Sequence, residues 1–87
     1  MKKVTVETDE NTYTVNYFKI EGTSCLYVEA GDSCLYVEAW DENGKLVLAV
    51  TWTSDGAGDV TLDEVSDKDS DAIFAAVMQD SAGNGSP

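Results

Sequence analysis

The chain contains no histidine and no arginine, a single proline at its last position, and two cysteines in 87 residues. Without histidine there is no His-based triad, no side chain that ordinarily titrates near neutrality, and none of the commonest zinc ligand. Without arginine the only cations are five lysines, set against 17 acids for a formal net charge of −12. Direct binding to DNA, RNA or an anionic membrane needs a basic face and is not expected. The cysteines do not form a C-x-x-C pair and have no third or fourth ligand beside them, so neither a zinc nor a redox site is expected. No apolar run approaches the ~18 residues of a membrane span. No signal peptide is expected at Met1, and the expected location is cytoplasmic.

Apolar residues make up 43% of the chain, enough for a core. The length fits one small domain, since domains run to about 50–250 residues. The expected organisation is a single α+β domain over residues 1–80 and a disordered tail over 81–87. Within the domain lies a tandem repeat. Gly22-Thr23-Ser24-Cys25-Leu26-Tyr27-Val28-Glu29-Ala30 is followed directly by Gly31-Asp32-Ser33-Cys34-Leu35-Tyr36-Val37-Glu38-Ala39, and only Thr23 and Asp32 differ. Recognised repeat architectures have periods of about 20–50 residues, so this is a duplicated strand (22–30 and 31–39) and not a solenoid. Two origins stay open: a recent natural duplication, and a deliberate insertion into a small β domain with no activity of its own.

Strand geometry gives the repeat a definite expectation. Gly31-Asp32 suits a two-residue type II′ loop, pairing Val28 with Leu35, Tyr27 with Tyr36 and Leu26 with Val37. Side chains alternate faces along a strand. Leu26, Val28, Leu35 and Val37 then share one face, and Cys25, Tyr27, Glu29, Cys34, Tyr36 and Glu38 share the other. Cys25 falls opposite Glu38, roughly 13 Å along the strand from Cys34, so both thiols are expected to be free. Either copy matches the strand after Asn43-Gly44; the downstream copy is favoured by that short connection.

The rest of the chain reads as strands and then one helix. Val4 and Val6 alternate with Thr5 and Glu7, and Thr8-Asp9-Glu10-Asn11 reads as a turn. Tyr13, Val15 and Tyr17 share one parity while Phe18 and Ile20 take the other, which predicts a long strand with a bulge or twist near Tyr17-Phe18. Asn43-Gly44 is a strong hairpin signal. As a type I′ turn it pairs Asp41 with Leu46, Ala39 with Leu48, Val37 with Val50 and Leu35 with Trp52. Val60-Thr61-Leu62 fits a short strand or a helical turn. Ser70 or Asp69 is the expected cap of a helix that buries Ile73, Phe74, Val77 and Met78 at helical spacing. The sum is a five-stranded antiparallel meander with one C-terminal helix packed on its apolar face, an α+β fold.

Few residues point to chemistry. Asp67-Lys68-Asp69-Ser70-Asp71 begins like a calcium loop, but Ala72 stands where the loop needs glycine and Met78 where it needs a bidentate glutamate. No metal and no cofactor are expected. Glu29 and Glu38 are solvent-facing strand positions more readily than a catalytic pair. Ser54, Ser66 and Ser70 lack an activating base, and no enzyme activity is expected. Tyr27, Tyr36 and Trp40 share the outer face, where aromatics stabilise the sheet or offer a carbohydrate- or protein-binding surface. The remaining signal is the acidic balance. Glu29, Glu38, Asp41, Glu42, Asp63, Glu64, Asp67 and Asp69 are the candidate partner-binding carboxylates, able to stand in for phosphates before a basic cleft.

Ala39-Trp40-Asp41-Glu42, Thr53-Ser54-Asp55 and Ala76-Val77-Met78-Gln79-Asp80-Ser81-Ala82-Gly83-Asn84 resemble the second half of the phage uracil-DNA glycosylase inhibitor family. The resemblance spans at most half the chain. It implies a small acidic α+β inhibitor that mimics DNA; residues 74–80, a strand in that family, read as helix here. The expected function is therefore a non-enzymatic acidic binding protein, a monomer or weak homodimer, whose partner is a basic protein such as a nucleic-acid-binding enzyme.

Overall fold

The computed structural model describes residues 2–21, 33–53 and 58–84. Strands β1 (Lys2–Glu7), β2 (Thr12–Glu21), β3 (Ser33–Trp40), β4 (Leu46–Trp52) and β5 (Val60–Asp63) form one antiparallel sheet in that order, and helix α1 (Asp67–Asn84) follows. Strand alternation sends Val6, Tyr13, Val15, Tyr17, Leu35, Val37, Ala39, Leu48, Val50 and Trp52 into one core with Ile73 and Val77 of α1. Phe74 and Met78 pack against that core. The Phe74 ring meets Trp52 edge-on at 5.1 Å.

The α+β architecture is the expected one, but its five strands are not the expected five. β2 pairs directly with β3, Ile20 opposite Cys34 and Val15 opposite Ala39, while β4 holds the other edge of β3. Both edges of β3 are taken, so the pairing expected through Gly31-Asp32 has no place. The first copy, with Cys25, Tyr27, Glu29 and the Gly31-Asp32 turn, lies outside the described residues. The fifth strand is instead Val60–Asp63, which settles that segment as strand. Cys34 is disulfide-bonded, and the chain's one other cysteine is Cys25. This corrects the expectation of free thiols, because the separation behind it depended on a pairing that β2 replaces.

β2 runs through its pairing with β3 without a register shift, so of the bulge or twist expected near Tyr17-Phe18 there is no bulge. The change of apolar phase has another cause. Phe18 and Ile20 lie on the face away from the helix, where Phe18 stacks at 5.4 Å on Tyr36 and Ile20 lies opposite Cys34.

The Asn43-Gly44 hairpin keeps its register by an unexpected route. Type I′ needs positive φ at both central residues, yet only Gly44, at φ 80°, has it among the described residues. Gly44 N–H donates to the Asp41 carbonyl at 3.0 Å and Asp41 N–H to the Lys45 carbonyl at 2.9 Å. This is a three-residue loop with glycine in the left-handed position. It shifts the pairing to Trp40 opposite Leu46, and a second irregularity at Val47 restores Ala39 opposite Leu48. The two one-residue shifts cancel, and the apolar face stays inward.

Helix α1 starts a turn earlier than expected. Asp69 N–H donates to Ser66 Oγ at 3.2 Å and Ser70 N–H to the Ser66 carbonyl at 2.8 Å, which makes Ser66 the N-cap in place of Ser70 or Asp69. The helix also continues to Asn84, into the segment expected as tail.

Candidate functional site: an acidic end of the sheet

An antiparallel meander gathers alternate connections at one end. The β1–β2 turn, the β3–β4 turn and the β5–α1 junction therefore lie together. They carry Asp9, Glu10, Asp41, Glu42, Asp63, Glu64, Asp67 and Asp69. Two lysines stand among these eight carboxylates, and each is paired: Lys45 Nζ lies 3.0 Å from Glu64 Oε1 and Lys68 Nζ 2.7 Å from Asp9 Oδ2. The Glu64 carboxylate holds the Lys45 ammonium above its ordinary pKa. Lys2, Lys3 and Lys19 sit toward the opposite end, at the start of β1 and near the end of β2.

Several of these acids also shape the loops that present them. Asp41 Oδ1 accepts from the N–H groups of Asn43 at 2.9 Å and Lys45 at 3.0 Å. Glu42 Oε1 accepts from Thr12 N–H at 2.9 Å, tying the β3–β4 turn to the start of β2. Asp63 Oδ1 accepts from Val65 N–H at 3.3 Å. Asp67 is exposed in the first helical turn, where the helix dipole favours a carboxylate. Between the loops lies a cleft of about 250 Å³ whose walls include Glu10, Asp41, Glu64, Tyr13 and Asp69.

Of the candidate carboxylates, Asp41, Glu42, Asp63, Glu64, Asp67 and Asp69 come together at this end. Asp69 is not surface charge, however. It is 6% exposed and accepts from the Tyr13 hydroxyl at 2.5 Å and from Asn11 Nδ2 at 3.1 Å. The Tyr13 hydrogen bond pulls its pKa below the ordinary carboxylate value against the opposing effect of burial, and Asn11 adds to the lowering. Glu38 is half-buried in the middle of β3 and accepts from the Tyr36 hydroxyl at 3.1 Å. Burial raises the Tyr36 pKa, and the Glu38 carboxylate raises it further. Tyr36 and Trp40 are half-exposed on the face away from α1, where the Tyr36 ring meets Phe18. Glu29 and Tyr27 lie outside the described residues.

Asp9 and Glu10 were absent from the sequence candidates because the expected meander, with both copies of the repeat in the sheet, puts their turn at the end opposite Asn43-Gly44; the direct pairing of β2 with β3 brings the two turns together. Tyr13 had no signal either; its partner Asp69 is 56 residues away. Among the described residues no group of three or more acids and cysteines is arranged to hold a metal ion. No described helix is long and apolar enough to cross a membrane. Comparisons with known proteins find no matching family model, no similar curated protein and no similar solved structure.

Proposed function

We propose that this chain is a non-enzymatic acidic binding protein that presents the turn end of its sheet to the basic cleft of a nucleic-acid-binding protein, its carboxylates occupying the places of phosphates. The observation that carries this reading is the crowding of charge: seven carboxylates besides the buried Asp69 at one end, with both local lysines already paired. Asp41, Glu42 and Asp63 are held by backbone N–H groups. Their spacing is thus set before a partner arrives, which lowers the ordering cost of association. The reading accords with the resemblance to the phage inhibitor family and makes the protein an electrostatic decoy, acting as a monomer or weak homodimer. It implies a cytoplasmic setting, where such enzymes work and where the Cys34 disulfide would be reduced.

The test is capture from a bacterial lysate at about 0.05 and 0.5 M salt, between which the Debye length shrinks severalfold. The captured protein should be released at high salt and should lose its binding to DNA or RNA when the free chain is added. A Glu10→Lys/Asp67→Lys variant should compete far less well. Capture that survives high salt and leaves nucleic-acid binding intact overturns the decoy reading. A second reading, a carbohydrate- or protein-binding face, is favoured by Phe18, 39% exposed against Tyr36. Retention on a polysaccharide column that Phe18→Ser abolishes would select it.

A further inference from the structure

We propose that the first copy of the repeat is a spare β3, able to take the same place between β2 and β4 so that the chain exchanges one copy for the other. The place has defined requirements. Toward the helix it buries Leu35, Val37 and Ala39; on the other face it buries Cys34 and half-buries Tyr36 and Glu38. Leu26, Val28, Ala30, Cys25, Tyr27 and Glu29 repeat those residues in the same order. A substitute strand of identical side chains loses none of the core between these positions.

The connections also permit the exchange. Glu21 now pairs with Ser33, so residues 22–32 join β2 to β3. With the first copy in place, Glu21 pairs with Ser24 and Gly22-Thr23 becomes a two-residue loop, glycine at its first central position as type II′ requires. The connection to β4 lengthens in return, from residues 41–45 to residues 32–45, fewer than two doublings, and closure entropy grows only slowly with length. What selects the observed arrangement lies just after the second copy. Trp40 pairs with Thr14 and Leu46. Asp41 closes the turn through its backbone and through Oδ1. In the exchanged state Gly31 stands where Trp40 does, and that turn is lost.

Cys34 is disulfide-bonded, and Cys25 is the equivalent position of the other copy. A link between equivalent positions opposes exchange. With Cys25 in the place of Cys34, only Gly31–Cys34 would remain to return along the full length of the strand that Cys25–Ala30 had just covered. The exchange is therefore expected in protein without the link.

The experiment uses the full chain carrying Cys25→Ala and Cys34→Ala, with three further sets of changes: Leu35→Thr/Val37→Thr, Leu26→Thr/Val28→Thr, and all four together. Amide spectra and hydrogen exchange are recorded for each. The first set should stay folded, with a new set of resonances in which the amides of residues 26 and 28 are protected. The minor state should thereby rise from at most a few per cent to the dominant species, a change of more than tenfold. The second set should leave the spectrum of β3 as it was, and the fourfold variant should unfold. If the first set unfolds as completely as the fourfold variant, or folds with positions 35 and 37 still protected, the exchange does not occur and the proposal is overturned.

Discussion

The Tyr13 hydroxyl donates a 2.5 Å hydrogen bond to Asp69 Oδ2, joining the start of β2 to the first turn of α1. Four residues further along the same face of β2, the Tyr17 hydroxyl donates to Asp80 near the far end of the helix. Four strand residues span about 13 Å and eleven helix residues about 16 Å. The two tyrosines are thus spaced to clasp three turns of helix lying along the strand. The clasps fix the lengthwise position of α1, which apolar contacts alone leave loosely specified because they have no direction.

The Tyr13–Asp69 clasp should be visible in the pH dependence of stability. Burial and the neighbouring Asp69 raise the Tyr13 pKa from 10.0 to about 12. An acid whose pKa rises on folding adds stability that is complete below pH 10 and lost as pH climbs through about 12. Asp69 behaves oppositely: its lowered pKa adds stability above the ordinary carboxylate range, lost as pH falls through its folded value. Tyr13→Phe should cost about 1.5–3 kcal/mol at neutral pH, as expected for a hydrogen bond to a charged group. Urea midpoints of the variant should fall less steeply than those of the parent between pH 10 and 12. Identical slopes would show that Tyr13 does not titrate in this window.

The two clasps should act independently. They lie farther apart than the roughly 7–10 Å within which substitutions couple. Stability losses for Tyr13→Phe and Tyr17→Phe, measured by urea denaturation, should add in the double variant to within about 0.5 kcal/mol. A double loss much smaller than the sum would mean that releasing one end of α1 already releases the other.

Much of the sheet was legible because turn chemistry and side-chain parity agree. Leu35 opposite Trp52 and Val37 opposite Val50 are the pairings expected from a two-residue turn, and they are the pairings found. What the sequence hid were choices between equivalents. Two near-identical copies suit one place beside β2, and only the short connection through Asn43-Gly44 favours the second. The three-residue turn and the irregularity at Val47 cancel, so the correct register emerged from the wrong turn type. Phe18 broke the parity of β2 because the outer face also has an aromatic partner, Tyr36. At the acidic end, residue type identified the carboxylates, but burial did not show in the sequence. Asp69 reads like its neighbours until a tyrosine 56 residues away claims it.

Two glycines should respond to alanine for different reasons. An ideal Cβ on Gly44 meets nothing within 4 Å, so Gly44→Ala suffers only from its φ of +80°. That should cost about 1–2 kcal/mol, and Gly44→Asn less, because asparagine tolerates this conformation better. At Gly58 the same atom would fall 1.5 Å from the Thr51 carbonyl oxygen. That backbone is held in place, since Thr51 N–H donates to the Asp59 carbonyl at 2.8 Å. Gly58→Ala should therefore cost about 4 kcal/mol or more, the range of backbone disruption, comparable to the whole stability of many small domains. Urea midpoints for the two variants check the order, and a Gly58→Ala protein as stable as Gly44→Ala would place Gly58 away from Thr51.

The crowding of charge should make added salt stabilise the fold even with no partner present. Salt weakens attraction and repulsion alike, so the sign depends on which dominates. The attractive pairs, Lys45 with Glu64 and Lys68 with Asp9, are exposed on the surface, where such pairs contribute little. Against them stand the remaining carboxylates of the same end and a net charge of −12. Self-repulsion of this kind favours expanded states. Raising sodium chloride from about 0.02 to 0.2 M shortens the Debye length roughly threefold and should raise the urea midpoint. Glu10→Lys, which places a cation in the cleft wall beside Asp41 and Glu64, should raise it in low salt and shrink the response to added salt. Thermal or urea unfolding of both proteins across this range provides the measurement. A parent midpoint that falls with salt would mean that the two ion pairs outweigh the repulsion and that the end is less crowded than its carboxylates suggest.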